Sequence, residues 1–206
     1  MTLPPWFNWV QRLQTIAQAG LTYARDPFDV ERYHQIQQIA AEILAAGADA
    51  PLEQVHGLLA AEEGYATPKL DVRAVVLREG RMLLVKELSD GGWTLPGGWV
   101  DVGDRPSAAA EREVREESGY EVRAVRLLAL YDRNLHGYPP FIFHTYKLFF
   151  LCELLGGAPT VSIETGGAEF FAEDDLPPLS VARVTPQVLA RLFDLARDAE
   201  AMTDFD

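Results

Sequence analysis

The chain has 206 residues, 48% of them hydrophobic, which is enough for one well-packed core and a small accessory domain. Its 18 basic and 31 acidic residues give a formal net charge of −13, which argues against a general nucleic-acid surface and disfavours DNA binding. The single cysteine, Cys152, lies in an apolar run, so a buried structural thiol is expected and disulfides within the chain are excluded. No basic segment followed by an apolar one opens the sequence, and no run approaches transmembrane length, which predicts a cytoplasmic protein without membrane contact.

The first 66 residues show helical periodicity and no strand-like alternation. In the first predicted helix, apolar residues recur three or four positions apart. A second helix is predicted to start at a cap, Asp26 or Asp29, and to end at Gly47, and Pro51 opens a short third helix. Three short helices bury little core of their own. We therefore predict that residues 1–66 form an N-terminal three-helix domain that docks on the rest of the chain or pairs with a second copy of it.

Strand-like segments begin after the helical region. The first two predict a hairpin that turns at Gly80 and places Val72, Ala74 and Val76 on one face. The segments predicted as strands are 70–79, 81–87, 122–130, 141–151 and 169–172, and a final helix is predicted at 186–197. Residues 67–206 are therefore expected to form a second, larger domain.

The stretch 98–120 places three glutamates, Glu113, Glu116 and Glu117, one helical turn apart behind a glycine-rich turn. Residues three and four positions apart share a helix face, so these carboxylates project toward one point. Their mutual repulsion favours a divalent cation, and hard carboxylate oxygens select Mg²⁺ or Mn²⁺. A solvated acidic helix face is the alternative interpretation, and the flanking residues decide between the two.

Those flanking residues resemble the signature of the Nudix hydrolases. The signature reads Gly, five residues, Glu, seven residues, Arg-Glu, an aliphatic residue, any residue, Glu-Glu, any residue, Gly and an aliphatic residue. The chain matches it at Gly98, Arg112, Glu113, Val114, Glu116, Glu117 and Gly119. Two positions depart from it, because Asp104 stands for the usual Glu and Tyr120 for the usual aliphatic residue. So long a match is far more specific than a lone glycine motif.

The resemblance implies an α/β fold, namely the Nudix α/β/α sandwich with a mixed sheet, preceded here by the small helical domain. Residues 67–206 would then be the Nudix catalytic domain. The implied reaction is hydrolysis of a pyrophosphate bond, in which water attacks one phosphorus and the other phosphate leaves. Bound Mg²⁺, or Mn²⁺, would offset the charge that develops on the phosphate oxygens.

The resemblance also assigns expected roles to residues within and beside the signature. Glu113, Glu116 and Glu117 are expected to be catalytic metal ligands, and the backbone carbonyl of Gly97 is expected to be a further ligand. Arg112 is grouped with the catalytic residues. The structural positions of the signature are Gly98, Gly119 and Asp104, and the last is expected to pair with Arg112 in a slightly rearranged way because it is one methylene shorter than Glu.

The general base is expected outside the signature. Glu164 is the first candidate for the base or for an extra metal ligand, because its spacing from the next strand resembles that of a loop glutamate in many Nudix enzymes. Glu169 is the second candidate. For both residues, a solvated acidic loop is the alternative interpretation.

Substrate contacts are expected from the loop and strand that follow the third predicted strand, 122–130. Arg133, His136, His144 and Lys147 offer phosphate pairing and contacts to a base. Arg133 and Lys147 are favoured because an anionic substrate that enters a protein of charge −13 needs local cations. Trp99 flanks the glycine turn, where its role is either packing or stacking on a nucleobase.

The stretch WFNWVQRLQTIAQAGLTYARDPFDVERY resembles the N-terminal helical module of a Nudix subgroup that includes CDP-choline pyrophosphatases and proteins labelled ADP-ribose pyrophosphatases. We therefore expect a nucleotide small-molecule substrate and a homodimer. CDP-choline, cleaved to CMP and phosphocholine, is the leading substrate, and ADP-ribose is the alternative. RNA trimming or decapping is disfavoured by the acidity of the chain, and the intact glutamates count against a non-catalytic Nudix-like ligand sensor or scaffold.

Overall fold

The computed structural model describes residues 4–206, which divide into two compact units. One unit contains residues 4–68 together with 140–144, and the other contains residues 69–139 and 145–206. No helix in the described part of the chain is long and apolar enough to cross a membrane.

The helical unit contains three helices, α1 (Pro5–Tyr23), α2 (Pro27–Ala48) and α3 (Leu52–Ala60). Asp26, one of the two predicted caps, accepts a hydrogen bond from the Phe28 backbone N–H at 2.8 Å and starts α2. The predicted end at Gly47 is wrong. This glycine lies inside α2, where a Cβ would overlap the indole ring of Trp6, so it serves close packing of the helices. Asp49, in the left-handed conformation, ends the helix instead.

Residues 141–144 were predicted to begin a strand, but the observed strand begins at Thr145, and segment 140–144 belongs to the helical unit. The side-chain amide of Gln11 donates to the backbone carbonyls of Phe141 and Ile142, at 3.2 and 3.0 Å. These two acceptors are thus satisfied without pairing to a neighbouring strand. The Ile142 side chain packs on the apolar cluster of the helices. These contacts make the segment part of the helical unit.

The larger unit is built on a seven-stranded mixed sheet. Its elements are β1 (Lys69–Arg78), β2 (Arg81–Glu87), β3 (Trp93–Thr94), α4 (Pro106–Ser118), β4 (Tyr120–Asp132), β5 (Thr145–Gly157), β6 (Thr165–Phe171), α5 (Pro186–Arg197) and β7 (Asp204–Phe205). The strand order is β3-β2-β1-β5-β4-β7, and β6 pairs with β2. β1 runs parallel to β5 and antiparallel to β2, and β4 runs antiparallel to β5.

The sheet buries one apolar face against each of two helices. Alternation along β1 sends Val72, Ala74 and Val76 toward α4, as predicted, and Val75 toward the opposite face. The first face packs against Ala109, Ala110 and Val114 of α4, and the second packs against Leu189, Leu192 and Phe193 of α5. This arrangement confirms the predicted α/β/α sandwich and fixes α4 against β1.

Candidate active site

The glycine turn before α4 runs alongside β1. The carbonyls of Pro96 and Gly98 accept hydrogen bonds from the backbone N–H groups of Ala74 and Val72, at 2.9 and 2.8 Å. The backbone N–H of Gly97, between these two carbonyls, donates instead to Glu117 Oε2. Gly97 has a φ of +145°, and a Cβ would overlap the carbonyl oxygen of Val72, so the position accepts only glycine.

Glu117 is the most deeply placed carboxylate of the predicted set. Its Oε2 accepts a hydrogen bond from the backbone N–H of Gly97 at 2.8 Å, and the side chain of Thr165 donates to its carbonyl oxygen at 2.6 Å. The residue is only 6% exposed, and burial raises the pKa of its carboxyl group to about 8, against the opposing influence of Arg73 and the Gly97 N–H. A carboxylate held in this way requires positive charge nearby.

Arg112 links the other two glutamates of α4. Its Nη1 lies 2.9 Å from Glu113 Oε1 and 3.1 Å from Glu116 Oε2. Its Nη2 lies 3.8 Å from a carboxylate oxygen of Asp104 and equally far from one of Asp101. The expected pairing of Asp104 with Arg112 is therefore present as a long ion pair, and the guanidinium group offsets part of the negative charge of Glu113 and Glu116.

Two glycines of the signature let α4 approach its neighbours. A Cβ on Gly98 would lie 3.1 Å from Glu113 Oε1, so the absence of a side chain makes room for that carboxylate. Gly119, with a φ of +76°, ends α4 in the left-handed conformation, and its backbone N–H donates to the carbonyl of Arg115 at 3.0 Å.

The box residues fit a divalent cation by the chemistry of their donor atoms. Carboxylate oxygens and the expected Gly97 carbonyl are hard ligands, as Mg²⁺ and Mn²⁺ prefer. Among the described residues, however, no group of three or more His, Cys, Asp or Glu side chains is arranged to hold a metal ion. The reason is local, since Arg112 engages Glu113 and Glu116 while Glu117 turns to Gly97.

A cleft of about 730 Å³ opens over these groups. It is lined by Arg73, Glu87, Gly97, Gly98, Trp99, Asp101, Arg112, Glu113, Glu116, Glu117, Val161, Ser162, Ile163, Glu164 and Arg183. The structure thus brings eight of the predicted residues together, and they include the first candidate base, Glu164, and the tryptophan, Trp99. The second candidate base, Glu169, lies exposed on β6 and does not line this cleft.

The two predicted cations, Arg133 and Lys147, do not line this cleft. Arg133 is 7% exposed and donates to the carbonyls of Pro139 and Ala182, at 2.7 and 3.3 Å. Lys147 is 2% exposed, and its Nζ donates to Asp71 Oδ1 at 2.6 Å. Both side chains use their charge inside the protein.

The two predicted histidines do not line the cleft either. His136 stacks on Tyr131, with ring centroids 3.9 Å apart, and its Nε2 lies 2.8 Å from Asp206 Oδ1. His144 is exposed and belongs to the helical unit rather than to the unit that contains the cleft. The phosphate- and base-binding roles expected of these two residues therefore stay predictions.

Sequence reasoning missed Arg73, which forms a buried ion pair in the cleft. Its Nε and Nη2 donate to the two carboxylate oxygens of Asp71, at 3.0 and 2.8 Å, and its Nη1 donates to the carbonyl of Leu95 at 3.1 Å. Burial opposes ionisation of Asp71, but the charges of Arg73 and Lys147 outweigh it and lower the pKa of this carboxyl group. The signal in the sequence was two charged residues two positions apart in an otherwise apolar strand.

Glu87 and Arg183 were missed as well. Glu87 ends β2 as a buried carboxylate, and its Oε1 lies 2.9 Å from Nε of Arg183. Burial raises the pKa of Glu87, while Arg183 and Arg73 act in the opposite direction. No local pattern marks either residue, because the segment between β6 and α5 meets the end of β2 only in the folded chain.

Comparison with known proteins assigns both units. The profile described as a UDP-X-like N-terminal oligomerisation domain matches residues 4–59, and the NUDIX domain profile matches residues 67–192. The putative ADP-ribose pyrophosphatase YjhB of Bacillus subtilis is 43% identical over 98% of this chain and 97% of the relative. A solved UDP-X diphosphatase aligns over the full length of both chains, with 32% identity and a TM-score of 0.64.

A further solved structure, an ADP-ribose pyrophosphatase from Streptococcus suis, is 41% identical, with a TM-score of 0.63, and the alignment covers 68% of this chain and 100% of that chain. These similarities extend beyond the signature to nearly the whole sequence. They confirm the resemblance that the 98–120 stretch predicted. The chain therefore belongs to the Nudix hydrolases, as a diphosphate hydrolase whose catalytic fold follows a UDP-X-like N-terminal oligomerisation domain.

Proposed function

We propose that this chain hydrolyses the diphosphate bond of a nucleoside diphosphate linked to a second moiety, in a reaction that depends on Mg²⁺ or Mn²⁺. The observation that carries the proposal is the buried Glu117, held by the Gly97 N–H at 2.8 Å on the wall of a cleft that also contains Glu113 and Glu116. Buried acidic groups beside an open cleft are typical of a cation and phosphate site.

Glu113, Glu116, Glu117 and the Gly97 carbonyl are the proposed metal ligands. Bound there, a divalent cation would offset negative charge on phosphate oxygens and promote ionisation of water. Arg112 offsets part of the negative charge of Glu113 and Glu116, which stabilises the acidic helix face. Its guanidinium group also lies 3.8 Å from Asp104 and from Asp101, and Arg112 lines the cleft.

Glu164 is the proposed general base. It lies in the loop between β5 and β6, and its carbonyl accepts a hydrogen bond from the backbone N–H of Leu88 at 3.0 Å. Its backbone N–H donates to the side chain of Ser162 at 3.1 Å, so the loop is fixed on both sides of the residue while the carboxylate remains exposed in the cleft. An exposed carboxylate that reaches the cleft can accept the proton of an attacking water.

ADP-ribose is the substrate that we propose to test first. The Bacillus subtilis relative is named a putative ADP-ribose pyrophosphatase. The solved Streptococcus suis relative is named an ADP-ribose pyrophosphatase. CDP-choline, the leading expectation from the N-terminal segment, stays a prediction, and UDP-linked compounds join it because of the UDP-X diphosphatase. A UDP-linked substrate would leave UMP as the nucleotide product.

The test incubates the purified protein with Mg²⁺ and a panel of ADP-ribose, CDP-choline, UDP-sugars, nucleoside triphosphates and short capped RNA. AMP and ribose 5-phosphate as products would support ADP-ribose, and CMP with phosphocholine would support CDP-choline. Turnover of RNA alone would favour a trimming or decapping enzyme. Absence of turnover from the whole panel, in the presence of tight binding, would overturn the proposal in favour of a ligand sensor.

We also propose that the chain forms a homodimer through its helical unit. The profile matched by residues 4–59 describes an oligomerisation domain, and large apolar side chains such as Trp9, Ile16 and Tyr23 of α1 are exposed on this unit. Light scattering coupled to gel filtration at micromolar concentration tests it. A mass near 23 kDa, that of one chain, would contradict the proposal.

A further inference from the structure

Three arginines line the cleft, and they differ in what they hold. Arg73 is buried and uses its guanidinium group on Asp71. Arg112 engages the glutamates of the signature. Arg183 is bound to an acidic residue outside the signature, and 31% of its side chain is exposed. Among the described lining residues, Arg183 is thus the partly exposed cation that is not paired with a proposed metal ligand.

The surroundings of Arg183 fix the plane of its guanidinium group. Nε lies 2.9 Å from Glu87 Oε1, and Nη2 donates to the side chain of Ser89 at 3.1 Å. Nη1 donates to the side chain of Ser180 at 3.1 Å and lies 3.4 Å from Asp90 Oδ2. A planar cation that is oriented in advance loses less conformational entropy when it binds a ligand.

The acceptors of this group are themselves held in place. Asp90 accepts hydrogen bonds from the backbone N–H of Gly92, at 3.0 Å, and from the side chain of Ser180, at 2.7 Å. The backbone N–H of Glu87 donates to the carbonyl of Gly92 at 2.9 Å, which closes the turn after β2. The Arg183 side chain therefore contacts a hydrogen-bonded turn, next to Leu88, whose backbone N–H donates to the carbonyl of Glu164.

The charge of the cleft explains why such a group is needed. Six acidic residues line it, namely Glu87, Asp101, Glu113, Glu116, Glu117 and Glu164, against the three arginines. A diphosphate linkage brings two further negative charges into this environment. Guanidinium groups bind phosphate oxygens with charge-assisted hydrogen bonds, so an oriented arginine outside the metal ligands is suited to the phosphate that enters.

We propose that Arg183 binds a phosphate group of the diphosphate substrate and that Glu87 is the positioning residue that holds its guanidinium group. The inference rests on the proposed function for the identity of the substrate. It replaces Arg133 and Lys147, whose charges are buried, with a cation that reaches the cleft. Glu87 acts through Arg183 and does not itself touch the substrate.

The experiment compares Arg183→Gln and Arg183→Lys with the wild-type protein. Arg197→Gln is the matched control, because Arg197 also forms an ion pair, at 2.6 Å to Glu173, but lies outside the lining of the cleft. For each protein, kcat and KM are measured with ADP-ribose and the substrate from the panel that is turned over fastest. The Kd for inorganic pyrophosphate in the presence of MgCl₂ is measured by calorimetry, and thermal unfolding is followed in parallel.

We expect Arg183→Gln to raise KM and the pyrophosphate Kd about tenfold or more, with a smaller change in kcat, since hydrogen bonds to charged groups are worth roughly that factor. Arg183→Lys should fall between Arg183→Gln and wild type, because lysine keeps the charge but loses the planar fork. Glu87→Gln should raise KM less than Arg183→Gln. Arg197→Gln should change neither constant by more than about twofold.

An unchanged KM and Kd in a folded Arg183→Gln protein would overturn the proposal. If that variant does not fold, the Kd of Arg183→Lys decides in its place, and a value equal to wild type counts against the proposal. A wild-type protein that turns over nothing in the panel would refute the proposed function, and the pyrophosphate Kd values would still decide whether Arg183 binds phosphate. The two failures are therefore distinguishable.

Discussion

Replacement of Asp71 by Asn tests the buried charge cluster beneath the cleft. The carboxylate of Asp71 contacts Nε and Nη2 of Arg73, at 3.0 and 2.8 Å, and Nζ of Lys147 at 2.6 Å. All three side chains are almost inaccessible to water. Asp71→Asn keeps the shape of the side chain but removes the only negative charge in these contacts, so two buried cations lose their counter-charge.

Removal of one partner from a buried ion pair costs about 3–5 kcal/mol. In a chain of this size, each kcal/mol lowers the melting temperature by about 2–4 °C, so the expected decrease is roughly 6–20 °C. The matched control is Asp101→Asn. The Asp101 side chain is 80% exposed and lies 3.8 Å from Arg112, so its contribution should stay below about 1 kcal/mol.

The loss should depend on pH in a defined direction. Burial lowers the pKa of Lys147 to about 8, from 10.5 for an unperturbed lysine, so the folded state releases this proton before the unfolded state does. This group therefore adds stability as the pH rises from about 8 toward 10.5, and at pH 9 the lysine in the folded protein is largely neutral. Without Asp71, one unpaired cation then remains instead of two. The gap between wild type and Asp71→Asn should be smaller at pH 9 than at pH 6.

Thermal unfolding of the wild type, Asp71→Asn and Asp101→Asn at pH 6 and pH 9 measures both effects. The double variant Asp71→Asn/Lys147→Met should recover part of the loss at pH 6, because one of the two unpaired charges is gone. A decrease below about 2 °C for Asp71→Asn at pH 6 would refute the reasoning. A gap that is equal at both pH values would show that Lys147 does not share the carboxylate.

Three further predictions concern the site and the core. Glu117→Gln should lower kcat by several powers of ten, each of which corresponds to about 1.4 kcal/mol of activation free energy. Glu169→Gln, outside the cleft, should change kcat by no more than about twofold. Near-normal turnover by Glu117→Gln would show that Glu117 is not part of the active site. Gly97→Ala should lower both stability and activity, because its Cβ would overlap the carbonyl oxygen of Val72. Gly91→Ala is the control: this glycine also has a positive φ but lies in open space, so the variant should lose only about 1–2 kcal/mol of stability. Equal effects of the two substitutions would contradict the packing explanation. Burial raises the pKa of the Cys152 thiol to about 12, so alkylation at pH 9 should be roughly a thousandfold slower in the folded than in the unfolded protein, and rapid labelling of the folded chain would count against a buried thiol.

The signature at residues 98–120 could be recognised from the sequence because the spacing of its residues along one helix depends only on neighbouring positions. Glu113, Glu116 and Glu117 share one helix face through helix geometry alone, and the glycines at 97 and 98 precede it at a fixed distance. The longer strands and one packed face of β1, that of Val72, Ala74 and Val76, were predictable for the same reason, since alternation depends only on neighbouring residues. The two-residue strands β3 and β7 were not predicted, because so short a segment carries no alternation.

The substrate side was not predictable because it depends on pairing between distant segments. Lys147 was expected to contact the substrate because an anionic substrate that enters a protein of charge −13 needs local cations. The parallel register of β1 and β5 places it directly opposite Asp71, 76 residues away, and this partner consumes its charge. No pattern in the sequence around Arg183 indicates a functional role. The fold brings this residue to Glu87 at the end of β2.

Segment 140–144 has a consequence for how this protein can be divided. The backbone leaves the sheet unit after Pro139, contributes Ile142 to the helical unit, and returns at Thr145 to start β5. The polypeptide therefore passes between the units at three points rather than at one linker. A truncation at residue 67 would strip Ile142 of its apolar neighbours and leave the carbonyls of Phe141 and Ile142 without the Gln11 amide. The N-terminal helices therefore cannot be removed as an independent domain. A chimera that exchanges them must also exchange residues 140–144.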